Sequence, residues 1–183
     1  MAPGVGAMAA LLCLDFDAAA AVAQEAAQGE ICQAANDNGG GQVVISGAKA
    51  AIERSLEIAK AHGARRAVLL PVSAPFHCSL MKRAEENMRP LLEATRVSSP
   101  ACPYLANVDA EPHADMAGIV DRLVRQICGS VKWEQSMQKL PGLGVTEGIE
   151  VGPGRVLFGL MRRIQKEIKV LGMDTAEDLK KLG

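Results

Sequence analysis

Over residues 7–72 the hydrophobic period switches repeatedly between that of a strand and that of a helix, and the order of the switches leaves few folds open. The apolar run 7–14 reads as a strand. Asp15 and Asp17 stand where helix N-caps belong, since a short carboxylate accepts from the free N–H groups of a first turn. Strong helix formers fill 18–28, and Gly29 closes the run. Two short strand-like runs, 31–35 and 42–46, are joined by Asn36-Asp37-Asn38-Gly39-Gly40-Gly41, turn chemistry that suits a hairpin. A second helix is expected over 48–62, with Ala51, Ile52, Ser55, Leu56 and Ala59 as its apolar stripe. Gly63 ends it, and Arg65-Arg66 lead into a strand over 67–72. Strand, helix, strand, strand, helix, strand is the ferredoxin-like split βαβ order, so 1–72 is expected to form one complete lobe.

Beyond residue 72 the grammar changes. A helix is expected over 79–95, with Met81, Ala84, Met88, Leu91 and Leu92 at helical spacing and Pro90 bending or dividing it. Pro100 and Pro103 bracket a loop into a strand at 104–108, and Asp115 is expected to cap a helix that runs to Cys128. A short helix at 132–140 precedes a strand at 146–151. Gly152-Pro153-Gly154 then turns into a helix over 155–168, followed by a strand at 169–173 and a helix at 175–182. Strands alternating with helices imply a parallel sheet with covered faces. Three strands are fewer than the usual four to six, so 73–183 reads as about half of such a sheet.

Between the two sections lies Pro71-Val72-Ser73-Ala74-Pro75-Phe76-His77-Cys78-Ser79-Leu80-Met81. A histidine at the end of a strand, on a proline-framed loop, sits where open α/β sheets keep their chemistry. The same residue could instead serve only to cap the next helix.

Other chemistries find little support. Gly4-Val5-Gly6-Ala7-Met8-Ala9 fits G-x-G-x-x-A, but the dinucleotide fingerprint needs a strand before the glycines and a helix after them, and here a strand follows. Twenty basic and 21 acidic residues balance, and aromatics make up 3% of the chain, so neither an electrostatic nor a stacking case for nucleic acid exists. Cys13, Cys32, Cys78, Cys102 and Cys128 form no C-x-x-C pair and, with the histidines, no zinc spacing; free thiols in a reducing compartment are expected, and no metal. Neither a long apolar span nor a signal pattern occurs, so a soluble cytoplasmic protein is expected, with no membrane partner. His62 and His113 read as surface residues, and Cys78 as too close in sequence to His77 to share a dyad with it.

Three blocks in order resemble the malonyl-CoA:acyl carrier protein acyltransferase family. The first is Ala35-Asn36-Asp37-Asn38 through Gly41-Gln42-Val43-Val44-Ile45-Ser46-Gly47, and the second is the histidine stretch. The third is Leu123-Val124-Arg125-Gln126 with Glu150-Val151-Gly152-Pro153-Gly154. The resemblance spans nearly the whole chain. It implies an α/β fold, a ferredoxin-like small lobe followed by the C-terminal half of an α/β-hydrolase-like parallel-sheet lobe. It implies transfer of a malonyl group from coenzyme A to acyl carrier protein in fatty acid biosynthesis, without a cofactor. In that family a serine attacks the thioester while a histidine takes and returns the proton, work suited to an imidazole. His77 matches this base. The resemblance assigns its orientation to the backbone carbonyl of Gln126, and substrate contacts to Phe76, Asn36 and Asn38. A Phe before the histidine accompanies malonyl selectivity, since its ring would crowd an α-methyl group.

The chain departs from the family at the nucleophile. No Gly-x-Ser-x-Gly occurs, because Ser46, Ser73, Ser79 and Ser130 all lack the flanking glycines. The family's Gly-Gln-Gly segment and its malonyl-gripping arginine are absent as well. Two readings stay open: a truncated transferase that carries the base without the nucleophile, or an inactive fragment or module that binds acyl carrier protein.

Overall fold

The computed structural model describes residues 4–182. Its first elements are β1 (Gly6–Leu12), α1 (Phe16–Ala27), β2 (Cys32–Asp37), β3 (Gln42–Ala48), α2 (Lys49–Ala61) and β4 (Arg66–Leu69). The strands lie in the order β4-β1-β3-β2, each antiparallel to its neighbour, which is the ferredoxin-like arrangement. The Asp15 carboxylate accepts from Ala18 N at 2.8 Å and starts α1, and Gln28 in left-handed conformation (φ 45°) ends it. Arg54, from α2, donates to the carbonyls of Ala26 and Ala27 at 2.9 and 3.1 Å, satisfying acceptors that the end of α1 leaves free. Both helices pack small residues on the sheet. Leu11, Val22, Val43, Ile45 and Ile52 are fully buried between them and form the core. One departure from regular pairing is a register shift between Ala34 and Asn36, where the bulge re-aims the end of β2.

The second section contains α3 (Lys82–Ala94), β5 (Tyr104–Ala106), β6 (Glu111–His113) and α4 (Ile119–Cys128). After these come β7 (Val131–Lys132), α5 (Trp133–Lys139), β8 (Glu147–Val151), α6 (Val156–Ile164) and β9 (Lys169–Met173). Only β8 and β9 form the expected parallel pair, with α6 as their crossover. The strand expected at 104–108 does not join them. Its chain reverses at once, with Ala110 in left-handed conformation (φ 57°) and its N–H on Ala106 O at 2.8 Å, so β5 pairs antiparallel with β6. Because a four-residue reversal puts the partner strand beside β5 locally, pairing there closes almost no loop. The two-residue β7 was not expected at all, and it extends the first sheet by pairing parallel to Asn36 and Asp37 of β2.

Two further expectations are corrected. At Pro90 the division is overturned, while the bend is a separate matter: α3 runs undivided through Pro90, and Pro90 and Glu86, whose carbonyl the ring deprives of a donor, both lie exposed where solvent can take the free acceptor. Asp115 caps a turn by accepting from Ala117 N at 2.9 Å; α4 starts only after Gly118, whose positive φ of 68° interrupts any helix begun earlier. Among the described residues no helix is long and apolar enough to cross a membrane.

Candidate active site

His77 sits on the loop that leaves β4, with its backbone in left-handed conformation (φ 58°). A non-glycine residue there is strained by about 1–2 kcal/mol and persists only where its surroundings over-determine it. They do so here. Pro75 is buried, and its ring packs on the backbone of Gly6 so closely that a Cβ added at Gly6 would stand 2.7 Å from Pro75 Cβ. The buried Cys78 thiol donates to Pro75 O at 3.2 Å, and Phe76 N donates to Ala74 O at 3.1 Å. On the other side Ser79 donates from both its N–H and its hydroxyl to Gln33 Oε1, at 2.7 and 2.9 Å. Gln33 belongs to β2, so the loop is clamped to the sheet on either side of the histidine.

The imidazole meets α4. His77 Nδ1 lies 2.9 Å from the carbonyl oxygen of Gln126, 49 residues away in sequence. A carbonyl can only accept, so Nδ1 carries the hydrogen, and in the neutral ring Nε2 is left with the lone pair. The carbonyl is available because the last four of a helix have no intrahelical donor, and the C-terminal end of the helix dipole favours positive charge beside it. Gln126 also uses its side chain, donating from Nε2 to Gly129 O at 2.9 Å, while its buried Oε1 has no partner among the described residues. From there Ser130 Oγ donates to Ala34 O at 2.6 Å, and the chain enters β7 beside Asn36. β2 therefore anchors both sides of the His77–Gln126 contact, through Gln33 on one side and Ala34 on the other.

The remaining expected residues lie near this frame without joining the contact. Phe76 is 40% exposed next to the histidine. Asn36, on β2, and Asn38, in the turn after it, are half-buried, and neither side chain is hydrogen-bonded to His77. Between them Asp37 is buried, and burial followed by the neighbouring Glu134 carboxylate pushes its pKa up. His62 is exposed and paired with Glu25 at 2.8 Å. His113 is more enclosed than expected, on β6, with Nε2 3.2 Å from Asp109 Oδ2. All five cysteines are free; burial pushes the Cys32 thiol up to about 11, and burial with a Glu85 contact pushes Cys128 up to about 12. Neither is a thiolate near neutral pH. The N–H groups of Leu157 and Phe158 at the start of α6 are taken by Glu150 at 2.9 and 2.8 Å, so the Gly152-Pro153-Gly154 turn presents a helix end already capped.

Gln33 was not singled out from the sequence, and Gly6 and Ser130 were weighed there only for other roles, as part of a nucleotide fingerprint and as a nucleophile. Nothing in residue type or period marks a cleft of about 400 Å³ between the β2–β3 turn and the end of α6, lined by Arg65, Arg66 and Arg163 with Cys13, Gly41 and Gln42. Arg163 is held there by Gln42 Oε1 at 3.0 Å. In the sequence Arg163 lies nearly a hundred positions from the adjacent Arg65 and Arg66, in a chain whose charge is balanced overall.

No protein-family profile matches the chain. Curated relatives do. It is 39% identical over 177 residues to the malonyl CoA-acyl carrier protein transacylase of Bacillus subtilis, covering 96% of this chain and 56% of that protein. To the protein of the same name from Escherichia coli K12 it is 44% identical over 161 residues, 88% of this chain and 52% of the relative. Among solved structures, an acyl carrier protein S-malonyltransferase from Vibrio cholerae matches with a TM-score of 0.94 at 38% identity, covering all of this chain and 60% of that one. A malonyl-transacylase solved in complex with a type II PKS acyl-carrier protein matches equally well, TM-score 0.94 at 38% identity, over all of this chain and 59% of that one. The chain thus spans little more than half the length of the proteins it matches.

Proposed function

Given that the chain is a homologue, over nearly all its length, of the malonyl CoA-acyl carrier protein transacylases, we propose that it is the base-carrying portion of such an enzyme. In this reading it corresponds to the small lobe and the C-terminal half of the large lobe, and it acts in malonyl transfer from coenzyme A to acyl carrier protein. The observation that carries the reading is the 2.9 Å contact between His77 Nδ1 and Gln126 O. With Nδ1–H spent on a carbonyl, Nε2 can take the proton of an attacking hydroxyl and return it to the departing thiol. The carbonyl at the helix end then steadies the imidazolium formed between the two steps, a part often played by a carboxylate. The three-arginine cleft supports an anionic, phosphate-bearing partner. Asn36 and Asn38, beside the β2 anchor, are assigned to holding substrate. Free thiols and the absence of a membrane-crossing helix among the described residues accord with a cytoplasmic location. The test is malonyl transfer to acyl carrier protein, measured for the 183-residue chain alone and supplemented with the remaining portion of a relative, with His77 intact or replaced by Ala.

Phe76 is assigned to the acyl pocket. Phe76 precedes the base in the chain, and in this reading an α-methyl group on the substrate would compete with its ring for space. One methyl group is worth only about 1–3 kcal/mol in a pocket, so in the reconstituted enzyme Phe76→Ser should lower discrimination against methylmalonyl thioesters roughly tenfold. Equal ratios of the two kcat/KM values before and after the substitution would remove Phe76 from the pocket.

The division into a lobe over 1–72, of which residues 1–3 lie outside the described part, and a section over 73–183 is likewise proposed. The compact α1–α2 packing on β1 and β3 supports it. Limited proteolysis should cut first in the exposed loop at 71–73 and leave α2 intact. Early cuts within 49–61 would refute the division.

A further inference from the structure

Two carboxyl groups from distant parts of the chain meet on the turn between β2 and β3. Asp37 closes β2 and is buried, and its Oδ1 accepts from the N–H of Gly39 at 3.4 Å. Glu134, from α5, brings Oε1 to the next N–H, that of Gly40, at 3.5 Å. A Cβ added at Gly39 would stand 3.3 Å from Glu134 Cβ and nearer still to Ile164, so the turn is packed against both α5 and α6. Both amide contacts are long, and two such donors do not compensate two buried negative charges.

The other charged groups around Asp37 do not neutralise it. Lys132 is its register neighbour on β7, and the stem of Arg163, from α6, lies over Gly40. Among the described residues neither cation is ion-paired with Asp37 or Glu134, and Arg163 donates instead to Gln42 Oε1. Asp15, ahead of α1, adds a further negative charge. Burial, followed by the Glu134 charge, pushes the pKa of Asp37 up, and the Asp37 and Glu134 side chains hydrogen-bond to each other. An ionised carboxylate can only accept, so a hydrogen bond between two carboxyls requires a proton on one of them. Like charges this close disfavour double ionisation as well.

We propose that Asp37 and Glu134 share one proton and so latch the β2–β3 turn onto α5, and that the latch opens when the proton leaves. The proton is exchanged with solvent, and only an O–H bond is made or broken. Because the two groups are coupled, the titration belongs to the pair. Asn36 and Asn38 flank Asp37 on the same turn, so the state of the latch sets their placement too. The proposal stands apart from the functional reading and is tested on the chain alone.

The folded chain keeps a proton that an unfolded Asp gives up near pH 3.9. The stability this confers is therefore complete below about pH 4 and is lost as the pH rises through the titration of the pair. Urea unfolding of the 183-residue chain is compared with Asp37→Asn, whose amide supplies the hydrogen bond without the proton, and with Glu134→Gln. Over the window above about pH 4, the unfolding constant of the unaltered chain should rise relative to either variant by about tenfold per pH unit, until the pair has titrated. The double variant should flatten the profile no further than a single one. In NMR spectra the amide signals of Gly39 and Gly40 should shift with one common midpoint above the ordinary carboxyl range. An infrared band of a protonated carboxyl should persist to that midpoint and be missing from both single variants. Parallel stability profiles for chain and variants would overturn the proposal. So would a profile flattened by Asp37→Asn but not by Glu134→Gln, which leaves a buried acid that shares nothing.

Discussion

Given malonyl-CoA and acyl carrier protein, the 183-residue chain alone is expected to transfer no malonyl group, and addition of the complementary portion of a relative is expected to start transfer. The chain holds an imidazole with its Nδ1 committed to Gln126 O and its Nε2 without a hydrogen-bond partner among the described residues, but no serine on a Gly-x-Ser-x-Gly turn for it to work upon. Three of its five thiols are poor substitutes, since burial pushes the pKa of Cys32 and Cys128 up and Cys78 is buried with its sulfur turned to Pro75 O. In the reconstituted enzyme His77→Ala should lower kcat by about 10²- to 10⁴-fold, the usual contribution of a positioned acid-base group. Radiolabelled transfer measured on chain, mixture and variant decides the matter. Turnover by the chain alone that vanishes with Cys78→Ala would identify a thiol nucleophile. Reconstituted turnover indifferent to His77 would take the histidine out of the mechanism.

Replacing Gly47 by alanine should strongly destabilise the first lobe. Gly47 pairs with Cys32 across β2 and β3, and a Cβ there would overlap the carbonyl oxygen of Ile31 and stand 2.7 Å from the Cys32 Cα. These are backbone atoms, and Ile31 O already accepts from Ala48 N at 2.7 Å, so relief requires β2 to move away from β3. Overpacking a core ordinarily costs about 1–3 kcal/mol; with backbone as the obstacle the expected loss is about 3 kcal/mol or more. For a small domain each kcal/mol is worth several degrees, so the melting temperature should fall by about 10 °C or more. β2 also carries both anchors of the histidine frame, Gln33 and Ala34, so the same variant should loosen the His77–Gln126 contact. A variant that melts within about 2 °C of the unaltered chain would show that the strands part more easily than this packing implies.

How far the fold was legible depended on how local its causes are. α1 was readable because Asp15, four small apolar residues at helical spacing and the glycine after Gln28 act within single turns of helix. The hairpin of β2 and β3 was readable from its Asn- and Gly-rich turn, though not its bulge between Ala34 and Asn36. The strand at 104 was recognised, but its partner was not, because β6 is three residues long and contains Pro112. At the site, His77 stood out by residue type and by its place after a strand. The Gln126 carbonyl belongs to a backbone group that every residue possesses, so only a family resemblance could single it out beforehand.

The sequence by itself determined the α/β class, the six-element order of the first lobe, the histidine on the loop after β4, and the lack of a flanked serine nucleophile. Each follows from residue identity or from hydrophobic period over a few positions. Tertiary structure alone decided that β7 adds to β2, that β5 folds back on β6, and that His77 meets a helix end 49 residues away. It alone gathered Arg65, Arg66 and Arg163 around one cleft and left Ile149 and Val151 uncovered. These outcomes depend on which strand edges and helix ends remain free once the rest of the chain has packed. Two residues such as Val131 and Lys132 carry no pattern of their own, and become a strand because the edge of β2 beside them is open.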